Sequence, residues 1–133
     1  LATRIIHACG MTEVADRLAY SDGACAAGRA AWDAGASILC DCEMVGAGII
    51  RRYLPAENNV IVTLNDPSVP GRARDIGNTR SAAAVELWAE HLEGAVVAIG
   101  NAPTALFHLL ELPRRAILEG WSVLTGRQVS VFS

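Results

Sequence analysis

The sequence predicts a three-layer α/β/α domain built on a mostly parallel sheet, doubly wound in the flavodoxin-like manner, and three observations predict it. Short apolar runs of strand type alternate along the chain with stretches of helical period. The run at 59–64 is continuously apolar and rich in β-branched residues, and that at 95–99 is of the same kind, as in strands covered on both faces. The stretches between the runs are long enough for helical crossovers, which are right-handed where parallel strands are joined.

Each element follows from local chemistry. Residues 3–9 have helical character but no cap at their start, so the chain is expected to open inside an element, truncated at its N-terminus. Leu18-Ala19-Tyr20-Ser21 reads as a strand. The alanine-rich stretch after it reads as a helix capped by Ser21 or Asp22 and closed by Gly35. Residues 37–41 form a second short strand, after which Val45, Gly48, Ile49 and Arg52 share helical spacing. The strand at 59–64 is stopped by the turn chemistry of Asn65-Asp66-Pro67. Val85, Trp88, Ala89 and Leu92 then fall at i, i+3, i+4 and i+7, a core-facing helical stripe with Thr79 as candidate cap. The strand at 95–99 breaks at Gly100-Asn101, and Pro103 sits in the first turn of a helix whose Leu106, Leu109 and Leu110 face inward. Leu112-Pro113 is expected to end that helix, and residues 122–132 alternate loosely as an edge strand.

A length of 133 residues suits one domain, and 52% hydrophobic against 19% charged residues provides a core without a disordered tail. Residues 1–112 carry the α/β pattern; residues 113–133 read as a tail of the same domain. No apolar run approaches the roughly 20 residues that cross a bilayer, and no secretion signal opens the chain, so a cytoplasmic protein away from membranes is expected. A net charge of −3 speaks against a nucleic-acid partner. All 11 basic residues are arginine, which is either codon bias or a means of gripping carboxylates and phosphates in a bidentate way. Cys9, Cys25, Cys40 and Cys42 form no CxxC pair, so they read as small core thiols and not as metal ligands or disulfides.

Three places could carry chemistry. His7 ends a helical segment just before Gly10, and an imidazole there is suited to general acid–base work, or else is structural. Gly100-Asn101-Ala102-Pro103-Thr104 joins a strand to a helix. Its backbone N–H groups offer an anion site beyond the strand's carboxyl end, or are simply capped by Asn101. Arg80, flanked by the hydroxyls of Thr79 and Ser81, opens a helix at the end where the dipole prefers acidic residues. That conflict points to a carboxylate partner, or to an exposed arginine. His91 and His108 read as structural. Gly46-Ala47-Gly48 lacks the third glycine of a dinucleotide fingerprint, there is no Walker A sequence, and no GxSxG elbow marks a hydrolase.

Four segments converge on one family. Ile6-His7-Ala8-Cys9-Gly10-Met11, Ile38-Leu39-Cys40-Asp41 with Met44-Val45, Thr79-Arg80-Ser81-Ala82-Ala83-Ala84 and Ala98-Ile99-Gly100-Asn101-Ala102-Pro103-Thr104-Ala105-Leu106 together resemble precorrin-8X methylmutase, in the same order and at similar intervals. The resemblance spans residues 1–112, whereas residues 113–133 look divergent. It implies an isomerase of cobalamin biosynthesis that moves a methyl group from ring carbon 11 to ring carbon 12 of the tetrapyrrole precorrin-8X, giving hydrogenobyrinic acid with no cofactor. It further implies a homodimer and His7 as proton donor and acceptor; the residues' own chemistry, taken with a substrate rich in carboxylates, makes Arg80, Thr79, Ser81 and Asn101 the candidate ligands. Two other readings stand beside it: a non-catalytic corrinoid-binding remnant and a regulatory α/β interaction domain.

Overall fold

The computed structural model describes residues 2–118 and 131–132. Its elements run α1 (Ala2–Cys9), a 3₁₀ turn (Thr12–Arg17), α2 (Ala24–Asp33), β1 (Ile38–Cys40), α3 (Glu43–Gly48), β2 (Val60–Val62), α4 (Val69–Asp75), α5 (Arg80–Glu86), β3 (Val96–Ala98), α6 (Pro103–Leu118) and β4 (Val131–Phe132). Among the described residues the strands form one sheet in the order β2-β1-β3-β4, and every pairing is parallel. This is the doubly wound order, in which the chain reverses direction beside β1 and leaves a crevice beyond the carboxyl ends of β1 and β3.

Side-chain alternation in the central pair divides the core between two faces. Leu39 and Val97 are register partners, and both join Val85, Trp88, Ala105 and Leu109 in one buried cluster beneath α5 and α6. Ile38 points the other way and meets Trp32 of α2 and Ile49 after α3 across a shallow apolar groove of about 250 Å³. Helices therefore cover both faces, as the sequence pattern requires. β1 is buried throughout, because it has strands on both edges and helices on both faces. β2 is only half-buried, because it lies at the sheet's edge; its apolar run alone suggested burial on both faces.

Several elements depart from their sequence reading for identifiable reasons. Leu18 to Ser21 forms no strand: Ala19, Tyr20 and Ser21 are exposed, and among the described residues no neighbouring strand offers a ladder. α2 starts one turn later than Ser21, with Gly23 as its N-cap in the left-handed region at φ 83° and no side chain capping it. The helix bearing Trp88 stops at Glu86 and tightens into a 3₁₀ turn at Ala89–His91, so Ala89 of the expected stripe faces solvent. Leu110 is likewise exposed, whereas His108 is buried at 2% exposure. α6 continues through Pro113 to Leu118 despite the bond to the Leu109 carbonyl that proline cannot make. Cys40 and Cys42 are core thiols, but Cys9 and Cys25 are exposed. Of the edge strand expected at 122–132, the pairing of Val131 and Phe132 with β3 is described, and the remainder lies outside the described residues.

Candidate functional site at the carboxyl ends of the strands

The carboxyl ends of β1, β2 and β3 deliver their following loops to one edge of the sheet, and register decides what meets there. Cys40 pairs with Ala98, and the Asp41 N–H donates to the Ala98 carbonyl at 3.2 Å, which carries the ladder one residue past β1. The Asp41 side chain is thereby brought beside the turn that leaves β3. Its Oδ1 accepts from Gly100 N–H at 3.2 Å, and its Oδ2 accepts from Asn101 N–H at 3.0 Å and Ala102 N–H at 2.8 Å. Asp41 is 3% exposed, and a buried carboxylate is tolerable only with such donors.

This arrangement corrects one expectation. The N–H groups of the Gly100–Ala102 turn, which the sequence offered either as an anion site or as capped by Asn101, are occupied by the carboxylate of Asp41. A carboxylate thus already stands beside the α6 N-terminus, and Asn101, whose N–H is taken, keeps an exposed side chain for a ligand. Gly100 is needed where it is, because a Cβ there would stand 2.8 Å from Val45 Cγ2 of α3.

Thr79, Arg80 and Ser81 begin α5 beside this turn. Thr79 caps the helix as its type and position predict, with Oγ1 accepting from Ala82 N–H at 3.2 Å. The same hydroxyl lies 3.0 Å from Thr104 Oγ1 in the first turn of α6. Arg80 curls over the end of β2, its Nη2 donating to the Leu64 carbonyl at 3.2 Å and to Asn65 Oδ1 at 3.4 Å. Asn65 in turn donates to Glu43 Oε1 at the start of α3 at 3.3 Å. Among the described residues Arg80 has no carboxylate partner, and its Nε and Nη1 are unused. A guanidinium anchored through one nitrogen keeps donors for a ligand carboxylate. Ser81, half-buried, lies next to it.

His7 stands elsewhere. α1 buries none of its residues and packs on the 3₁₀ turn that follows it. Gly10 provides the left-handed exit at φ 72°, its N–H donating to the Ile6 carbonyl at 2.8 Å. The imidazole is exposed, and no described residue bonds it. The structure therefore gathers Thr79, Arg80, Ser81 and Asn101 at one edge of the sheet and does not bond His7 to them.

Sequence reasoning missed the role of Asp41, although a charged residue closing the apolar run Ile38-Leu39-Cys40 was a visible signal. It also passed over a part-buried pair. His108 Nε2 lies 3.2 Å from Glu86 Oε1, tying α6 to α5, and Arg72 of α4 approaches Glu86 Oε2 at 4.0 Å. No three His, Cys, Asp or Glu side chains cluster as metal ligands among the described residues, and no described helix is long and apolar enough to cross a membrane.

Comparison with known proteins gives a consistent result. The family model described as precorrin-8X methylmutase matches residues 1–124, which extends past Leu112 into the segment that looked divergent. The chain is 59% identical over 128 residues to a precorrin-8X methylmutase of Pseudomonas aeruginosa, spanning 92% of this chain and 62% of the relative. A Sinorhizobium precorrin-8X methylmutase is 58% identical over 114 residues, with 86% of this chain and 54% of the relative covered. The chain thus spans little more than half the length of these relatives. Among solved structures, the precorrin-8X methylmutase of Thermus thermophilus superposes with a TM-score of 0.73 at 40% identity, covering 86% of this chain and 56% of that one. A precorrin-8X methylmutase related protein superposes at 0.75, also at 40% identity, over 90% of this chain and 62% of its own. The family model, the relatives and the shared fold agree: the chain belongs to the precorrin-8X methylmutase family.

Proposed function

We propose that the protein is an isomerase of corrinoid biosynthesis that shifts a methyl group from ring carbon 11 to ring carbon 12 of precorrin-8X, giving hydrogenobyrinic acid. The observation that carries this reading is the meeting of Arg80, Thr79, Ser81 and Asn101 at the strand ends, within a member of this family. A tetrapyrrole fringed with acetate and propionate groups is held by such donors, with Arg80 providing the charged fork. His7 is the proton donor and acceptor. Protonation of the conjugated system lowers the barrier to migration, and the proton returns to the imidazole as the product forms. The reaction is an isomerisation, so it requires no redox cofactor. The enzyme acts in the cytoplasm as a homodimer, and the partner subunit contributes to the pocket in which His7 works.

The metal-free substrate is favoured over the cobalt-containing one. The relatives named for precorrin-8X are 59% and 58% identical, whereas those named cobalt-precorrin-8 methylmutase are 28% to 41% identical.

The test is to mix the chain with precorrin-8X and follow the absorbance change that marks a corrin chromophore, beside the His7→Ala variant. Conversion by the parent chain and not by the variant is expected, and equal conversion by both would remove His7 from the mechanism. The exposed imidazole without a described partner favours one second reading, a non-catalytic corrinoid-binding protein. Tight binding of hydrogenobyrinic acid without turnover would establish that reading in place of the first.

A further inference from the structure

Asp41 is a buried acid that the proposed chemistry does not use, and its surroundings give it a task. Three consecutive N–H donors, those of Gly100, Asn101 and Ala102, converge on its two oxygens at 2.8 to 3.2 Å. Three successive amides can point at one carboxylate only if the backbone curls around it, so the carboxylate dictates the shape of the turn. Val45 crowds the same turn and leaves room for no Cβ at Gly100. Asn101, at the centre of this clamp, is exposed.

We infer that Asp41 is a positioning residue: it sets the direction in which Asn101 presents its side-chain amide to the corrinoid, and it occupies the turn amides before α6 that would otherwise be open to a substrate carboxylate. The inference rests on the proposed corrinoid reading. It deepens that reading by dividing the labour: Arg80 meets the ligand's carboxylates with a charged fork, and Asn101 meets them with a neutral amide held in one direction. The requirement for a carboxylate is chemical. An asparagine at position 41 has one acceptor oxygen and one donor NH₂ in place of two acceptors, so at least one of the three N–H groups would face a donor and the curl would open.

A double-mutant cycle separates positioning from simple support of the fold. Hydrogenobyrinic acid is titrated by absorbance into the parent chain, Asp41→Asn, Asn101→Ala and the double variant. The expected result is a loss of affinity of about tenfold for Asp41→Asn in the parent and of under about twofold in the Asn101→Ala background, because a residue that acts through Asn101 has nothing to position once that side chain is gone. An equal loss in both backgrounds would overturn the inference, as would no loss in either while Asn101→Ala alone weakens binding. If the parent chain binds no corrinoid, the functional reading itself fails, and that outcome is distinct from both. Should Asp41→Asn lose its helical circular dichroism, Asp41→Glu makes the same comparison, since it keeps the charge and displaces it by one methylene.

Discussion

The hydroxyls of Thr79 and Thr104 stand 3.0 Å apart, and this contact fastens the first turn of α5 to the first turn of α6. Thr79 Oγ1 accepts from Ala82 N–H in the same place, so one side chain both caps its own helix and holds the neighbouring one. Replacing Thr79 by alanine removes both interactions and should cost about 1–2 kcal/mol of unfolding free energy. Serine keeps the hydroxyl and should recover most of that loss. Urea unfolding followed by circular dichroism measures both variants; a Thr79→Ala midpoint equal to the parent's would show that the cap adds nothing.

His7 should behave in the opposite way, important to chemistry and immaterial to the fold. α1 has no buried residue, and no described partner holds the imidazole. His7→Ala should therefore change stability by no more than about 0.5 kcal/mol. Turnover of precorrin-8X should fall by about 10²-fold or more, as expected for loss of a general acid–base group. A variant that unfolds more easily and still converts substrate would reverse both halves of this assignment.

Crowding at Gly100 gives a third expectation. A Cβ there would lie 2.8 Å from Val45 Cγ2, a distance that forces α3 or the turn to move. Gly100→Ala should destabilise the protein by about 1–3 kcal/mol, the usual cost of overpacking. In a Val45→Ala background the same change should cost clearly less, because the obstructing methyl is gone. Equal penalties in both backgrounds would mean that some other contact sets the need for glycine.

How much of this was legible beforehand differs by level. The layered α/β class was readable because strand-like runs and helical stripes differ in period, and Thr79 was readable as a cap from residue type and place alone. The strand proposed at Leu18 to Ser21 failed because a four-residue run has no meaning without a neighbour to pair with, and pairing is a property of the sheet. The donors of the Gly100–Ala102 turn were located, but neither partner considered for them, a ligand anion or the Asn101 side chain, is the one they bond. Their partner, Asp41, is some sixty positions away in sequence and becomes adjacent only through the register Cys40 to Ala98. Arg80 was suspected of meeting a carboxylate, yet its described partners are the Leu64 carbonyl and the Asn65 amide, because the end of β2 lies within its reach.

Cys40 supplies a prediction in pH. The thiol is fully buried, and its pKa is pushed up to about 11, first by burial and then by the neighbouring Asp41 and Cys42. Burial opposes the thiolate, so the folded protein holds this proton at pH values where an unfolded chain, with its thiol near 9, has released it. The folded state then binds more protons than the unfolded one, which makes the slope of stability against pH negative across that window. The stabilisation is complete below pH 9 and is lost progressively as pH rises through about 11. Urea midpoints taken at intervals over this range should fall in the parent chain, and the part of the fall due to Cys40 should vanish in Cys40→Ala. Reactivity gives an independent check, because the thiolate is the nucleophile. At pH 8, the exposed Cys9 and Cys25 should be alkylated by iodoacetamide in the folded state, and Cys40 only after denaturant is added. Rapid labelling of Cys40 in the folded protein, located by peptide mass spectrometry, would show that β1 is open to solvent and would contradict the burial on which the pH argument depends.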